Sequence, residues 1–245
     1  MNNETIGISA ELAIADTFGI AVNPFYRERG DEVVKNNIQQ IVYDTFIIEN
    51  IPFPVEHVAY DQSPVDFILE NNQTLSVKTN MGYLSKVAPQ IIGQPTAETY
   101  FNFLYNACGF DVKRELDNWG LYDNYKNRAT IFKKFSMENI CYMITIYWKN
   151  LFHCDYYIHF YNIINRSKTI RETPNYIVLK QVTESPLWNI NYITFTKELS
   201  NWNECNTVKY HDIVLGEFQA HNHRNCLKFR FNIRGILELQ DKGYI

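Results

Sequence analysis

Residues 64–80 read PVDFILENNQTLSVKTN, and this stretch decides how the rest of the chain is understood. Val65, Phe67 and Leu69 alternate with Asp66, Ile68 and Glu70, and Leu75 and Val77 alternate with Ser76 and Lys78. Both runs carry the two-residue period of a half-buried strand. Asn71, Asn72 and Gln73 between them supply turn chemistry. The pattern predicts an antiparallel hairpin with Asp66 at its entrance and Lys78 near its end, on neighbouring strands.

Upstream, Ile8, Leu12, Ala15 and Phe18 recur at helical spacing, which predicts a helix over Ile8–Ile20 with Ser9 as N-cap and Gly19 as stop. Glu11 lies in its first turns. The segment from Asn23 through RERGDE reads as a loop. A second amphipathic helix is predicted from Glu32 to Glu49 on the stripe Val33, Val34, Ile38, Ile41, Val42, Phe46 and Ile47, ended by Pro52 and Pro54. Downstream, MGYLSKVAPQIIGQPT holds two glycines and two prolines and reads as a loop beside the hairpin. Helices are predicted over 97–108, 124–135 and 137–152. Strands are predicted over 155–164 and 176–182, and again over 192–196, 213–221 and 226–233.

The last pair is polarised. In CLKFRFNI, Leu227, Phe229, Phe231 and Ile233 share one face and Lys228, Arg230 and Asn232 the other; Glu217, Gln219 and His221 alternate against Gly216, Phe218 and Ala220. The aromatic stretch from Tyr142 to Tyr161 reads as core. No nucleophilic triad pattern, glycine-rich phosphate loop or dinucleotide fingerprint is present.

At 245 residues and 46% hydrophobic content the chain can bury a full core. No apolar run approaches the roughly 20 residues that span a bilayer. The opening MNNETIGISAEL lacks the basic and apolar regions of a signal peptide, so a cytoplasmic location is expected. Five widely spaced cysteines without a CxxC pair indicate neither a disulfide framework nor a zinc site and are expected to be buried reduced thiols. The net charge of -4 conceals an asymmetry. Residues 1–70 hold 12 acids and three bases, whereas residues 71–245 hold 15 acids and 20 bases. An acidic half is followed by a basic one.

At Asp66 and Lys78 the chain resembles the active-site hairpin of the PD-(D/E)xK nucleases, and among them type II restriction endonucleases. It departs from the strict pattern twice. Val65 is inserted between Pro64 and Asp66, and Ser76 stands where an acid is usual. Glu11, in SAELAIADTF, resembles the carboxylate that some of these enzymes take from an N-terminal helix; Glu70 and Glu56 are the other candidates. The resemblance implies that Asp66, Glu11 and the main-chain carbonyl of Val77 bind magnesium, that Lys78 orients the attacking water, and that Ser76 occupies a catalytic position. It also implies an α/β fold with a central mixed sheet flanked by helices.

The expected activity is sequence-specific, magnesium-dependent cleavage of double-stranded DNA. The alternatives are a non-catalytic DNA-binding or interaction module of the same fold, and a repair or structure-specific nuclease. Target contacts are expected from Lys86, Gln90 and Gln94 just after the hairpin, and from Gln219, His221, Arg224, Lys228 and Arg230 on the last two strands. The bland readings are a surface ion pair for Asp66 and Lys78, a solvated loop, and an ordinary half-exposed sheet face. HNHRN at 221–225 has its letters adjacent rather than spread over a ββα unit, so it is not an HNH nuclease motif. One domain over 1–245 is expected, with 1–110 as catalytic core and 111–245 as a helical segment plus a C-terminal β recognition region. A palindromic target would favour a homodimer.

Overall fold

The computed structural model describes residues 2–59, 63–89, 97–164, 173–224 and 226–245, without the side chains of 97–99. These residues pack as two compact units, and the chain passes between them three times, after Ser85, Leu151 and Glu184. The first unit opens with α1 (Asn3–Phe18), α2 (Pro24–Arg27) and α3 (Glu32–Ile48), followed by β1 (Pro54–His57), β2 (Phe67–Leu69) and β3 (Thr74–Thr79). The second unit takes β4 (Lys86–Val87), α4 (Ala97–Cys108), α5 (Val112–Asn118), α6 (Tyr125–Glu138) and α7 (Ile140–Leu151). The chain returns to the first for β5 (Tyr156–Tyr161) and β6 (Asn175–Lys180). It ends in the second with β7 (Ile193–Phe195), β8 (Cys205–Tyr210), β9 (Ile213–Ala220), β10 (Leu227–Asn232) and α8 (Ile233–Asp241).

Among the described residues the first unit carries a mixed sheet in the order β1-β2-β3-β5-β6, parallel only between β3 and β5. The predicted hairpin is present, with Phe67 opposite Leu75. Asn72 turns the chain at φ 62°, and the Asn71 side chain accepts from the Gln73 amide. α1 packs on α3 and also on β1 and β3, so it is apolar on most of its surface rather than along one stripe. Ala10, Ala13, Ile14, Val34, Ile38, Val42 and Phe46 meet Phe67, Leu69, Leu75, Val77, Ile158 and Phe160 in one core. The opposite face of β3 and β5 carries Ser76, Lys78, Tyr157 and His159, paired in register as Ser76 with Tyr157 and Lys78 with His159.

The second unit carries an antiparallel sheet in the order β4-β10-β9-β8-β7. Its aromatic face gathers Phe218, Phe229 and Phe231, with Tyr147 and Trp148 of α7 and Phe132 of α6 set edge-on to them. Gly216 makes this packing possible, because a Cβ there would stand 2.3 Å from the Phe229 ring. The other face carries Lys228, Arg230, Glu217 and Gln219.

Several expectations need correction. α1 starts at Asn3, where Asn2 accepts from the Thr5 amide, and Ser9 is no cap. Ser9 sits mid-helix, donating to the Thr5 carbonyl and accepting from the Asp31 amide. Gly19 does end the helix, at φ 69°. Part of the predicted 23–32 loop is the short helix α2, begun by the Asn23 side chain on the Phe25 amide. Val33 and Ile47 leave the buried stripe of α3 and are 64% and 50% exposed. Lys86 and Val87 form an edge strand rather than loop. Of the five cysteines, all free, Cys154 is buried and Cys108 is exposed. No helix among the described residues is long and apolar enough to cross a membrane.

Candidate active site

Asp66 lies just ahead of β2 and is pinned by its backbone, its amide donating to Leu75 O at 2.8 Å and its carbonyl accepting from the Val58 amide at 2.9 Å. The residue is 3% exposed. Its Oδ2 accepts from the Val77 amide at 2.6 Å and from Ser76 Oγ at 3.2 Å, and stands 3.4 Å from Lys78 Nζ. Lys78 Nζ also donates to Ser76 Oγ at 2.7 Å and to Val77 O at 3.0 Å. Because side chains two apart on a strand share a face, Ser76 and Lys78 both meet Asp66 across the hairpin. Asp66 and Lys78 are thus not a surface pair. The ammonium sits among three oxygens, two of which, Asp66 Oδ2 and Val77 O, belong to the expected metal ligands.

Glu11, on the inward side of α1, is 7% exposed. Its Oε2 accepts from Tyr26 Oη at 2.7 Å and contacts His57 Nε2 at 2.9 Å. Burial is the largest cause pushing its carboxyl above the usual range, and the nearby charge of Asp66 adds to it; the contacts with His57 and Tyr26 pull the other way. Tyr26 and Phe67 stand edge-on to the His57 ring at 5.0 and 5.1 Å between centroids. The two alternative carboxylates, Glu56 and Glu70, are exposed. Glu11 and Asp66 are therefore two buried acids that feel one another's charge. Such a pair fits a hard cation held by carboxylate and carbonyl oxygens, and Glu11, Asp66 and Val77 O offer that donor set.

His159, register partner of Lys78 on β5, is fully buried. Burial, seconded by the Lys78 charge, depresses its imidazole to about 3, so it is neutral at physiological pH. Its Nδ1 lies 3.0 Å from Tyr157 Oη. Sequence reasoning named neither this histidine nor His57 and Tyr26. His57 sits in a short Pro-flanked strand and Tyr26 in a segment read as loop, so neither shows a periodic signal.

The expected DNA-contacting residues divide. Gln90 and Gln94 lie outside the described residues. Lys86, Gln219 and Arg230 converge on one carboxylate: Glu217 takes Lys86 Nζ at 2.5 Å, Arg230 Nη2 at 2.7 Å and Gln219 Nε2 at 3.1 Å. Burial raises the Glu217 carboxyl, but the hydrogen bonds from Lys86 and Arg230 outweigh it and the net shift is downward. Lys228 lies opposite Gln219 on the same face. His221 and Arg224 are at the β9–β10 turn, where Arg224 Nη2 lies 3.3 Å from His221 Nε2.

No family model matches the chain, and no solved structure matches it. Over 190 residues, 76% of its length, the chain is 32% identical to the type II restriction enzyme CviAII of Paramecium bursaria Chlorella virus 1. The match covers 47% of that enzyme, so the chain spans about half the length of the curated relative it resembles.

Proposed function

We propose that the chain is a type II restriction endonuclease of PD-(D/E)xK character that hydrolyses phosphodiester bonds of double-stranded DNA at specific sequences with magnesium. The observation that carries this reading is the convergence of Asp66, Lys78 and Glu11, with burial first and the charge of Asp66 second pushing the Glu11 carboxyl up. The similarity to a restriction enzyme supports it. Glu11, Asp66 and Val77 O would hold the magnesium, which when bound lowers the pKa of a water and draws charge from the scissile phosphate.

The chain's own residues do the rest. Tyr26 and His57 position the Glu11 carboxylate, which is otherwise driven toward its neutral form. Lys78, on a flexible stem beside Asp66, orients the attacking water and offsets charge developing on the phosphate. Ser76 takes no acid's role. It donates to Asp66 and accepts from Lys78, which fixes their spacing. Target reading falls to the polar face of the second unit's sheet, where Glu217 holds Lys86, Gln219 and Arg230 in defined poses beside Lys228. A palindromic target would be read by a twofold pair of chains.

The test is incubation of mixed-sequence DNA with the protein and magnesium, repeated with EDTA. Discrete bands that vanish with EDTA are expected, and sequencing of the ends should give one short site. A gel shift without cleavage in wild type, or cleavage retained by Asp66→Ala, overturns the assignment.

A further inference from the structure

We propose that Glu204, His221 and His223 form a zinc site that clasps the β9–β10 turn to the start of β8. Among the described residues these three offer ligand atoms all within 4.8 Å of one another. His221 Nδ1 stands 3.1 Å from Glu204 Oε2, and His223 Nδ1 stands 3.2 Å from Glu204 Oε1. A tetrahedral zinc with bonds of about 2.0–2.1 Å sets its donors about 3.4 Å apart, so the side chains already lie near ligating separations. Two imidazoles and one carboxylate suit zinc, whereas magnesium takes oxygen donors, so the site is chemically distinct from that of Glu11 and Asp66.

A further observation points to a missing ligand. His221 is 8% exposed, and its buried Nδ1 makes no hydrogen bond, although Glu204 Oε2 stands 3.1 Å away. The backbone around it is fixed, since Ala220 N donates to Glu204 O at 2.8 Å and His221 N donates to Cys226 O at 3.1 Å. Glu204 and His221 are thus held by the sheet ladder, and only His223 is carried on the exposed turn. Zinc at Nδ1 requires the proton on Nε2, where the Arg224 guanidinium, which can only donate, now lies at 3.3 Å. Arg224 is exposed and must turn outward when the metal binds. The other nearby cation, Lys133, is anchored on Asn203 O and on Asn222 Oδ1.

The experiment uses the untagged full chain, stripped with EDTA, dialysed, and titrated with zinc against a chromophoric chelator. One zinc per chain is expected. His223→Ala, at an exposed position that spares the fold, and Glu204→Gln should each weaken binding more than about 10-fold. Arg224→Ala should bind zinc at least as tightly as wild type, an outcome a simple hydrogen-bonded cluster would not give. Cobalt in place of zinc should show no thiolate charge-transfer band, and Asp66→Ala should leave zinc affinity unchanged. The proposal fails if wild type takes up no stoichiometric zinc, if His223→Ala and Glu204→Gln bind as wild type, or if the cobalt spectrum shows cysteine sulfur.

Discussion

Glu11 and Glu217 are the same residue in two settings, one in each unit, and their carboxyls are driven in opposite directions. Glu11 is shut into the first unit against another acid, with a histidine and a tyrosine as partners, and its carboxyl is pushed up. Glu217 lies on a half-exposed sheet face with Lys86 and Arg230 as donors, and its carboxyl is pulled down despite burial. A carboxylate with its positive partners already in place is structurally content. One shut in beside another acid is open to a cation, and this difference separates the Glu11–Asp66 cluster from the polar face of the second unit's sheet.

The contrast can be broken most severely at the cluster. Asp66→Ala and Lys78→Ala are each expected to lower plasmid cleavage by on the order of 10^3-fold while gel-shift binding persists. Full cleavage by either would return the pair to a structural role. Glu11→Gln is expected to lower cleavage by about 10^2-fold and to do something Glu217→Gln would not. A raised carboxyl contributes stability that is present below the unfolded-state value and lost as pH rises through the folded one. Metal-free wild type should therefore melt lower at neutral pH than the Glu11→Gln variant, and magnesium should close that gap by stabilising wild type alone. Equal melting of the two proteins without metal would remove the argument from charge strain.

His159 gives a third expectation with the opposite sign. Its depressed imidazole contributes stability present above pH 6.5 and lost as pH falls toward about 3. Acid melting curves of wild type should fall through that window by about 1.4 kcal/mol per pH unit at most, and those of His159→Gln should be flatter. Coincident curves would show that the ring is not held neutral by burial. Smallest is the effect expected on the second unit. Arg230→Ala should weaken DNA binding by roughly tenfold with little change in the melting temperature, measured by gel shift and calorimetry. Unchanged affinity would exclude Arg230 from recognition.

Much of the first unit was legible because its signals are local. The hairpin announces itself by alternation and Asn-rich turn residues, and α3 by its apolar stripe. Glu11 came forward only through the resemblance of SAELAIADTF to the N-terminal helix of restriction enzymes. What escaped reading depends on non-local packing. β8 alternates inward Asn206, Val208 and Tyr210, and the polar Asn206 hides the pattern; its side chain instead bonds the backbone of Lys197. α8 was masked because Ile233, Ile236 and Leu239 follow directly on the apolar face of β10. The division into two units is marked only in part by composition, since the crossing after Ser85 falls within the Gly- and Pro-containing stretch 81–96 but the one after Leu151 falls in no such linker. His57, Tyr26 and His159 acquire their roles only when separate segments meet.

The parallel pairing of β3 with β5 has a consequence for how the protein emerges from the ribosome. The strand bearing Lys78 must wait for residues 86–151 to be made before its neighbour exists. A nascent chain halted at Leu151 would carry the complete hairpin with one bare ladder edge, and His159 would not yet have been synthesised. The long-range contact slows folding of that sheet. It also leaves the face that carries Ser76 and Lys78 without its β5 neighbours, Tyr157 and His159, until residues beyond 151 have been made.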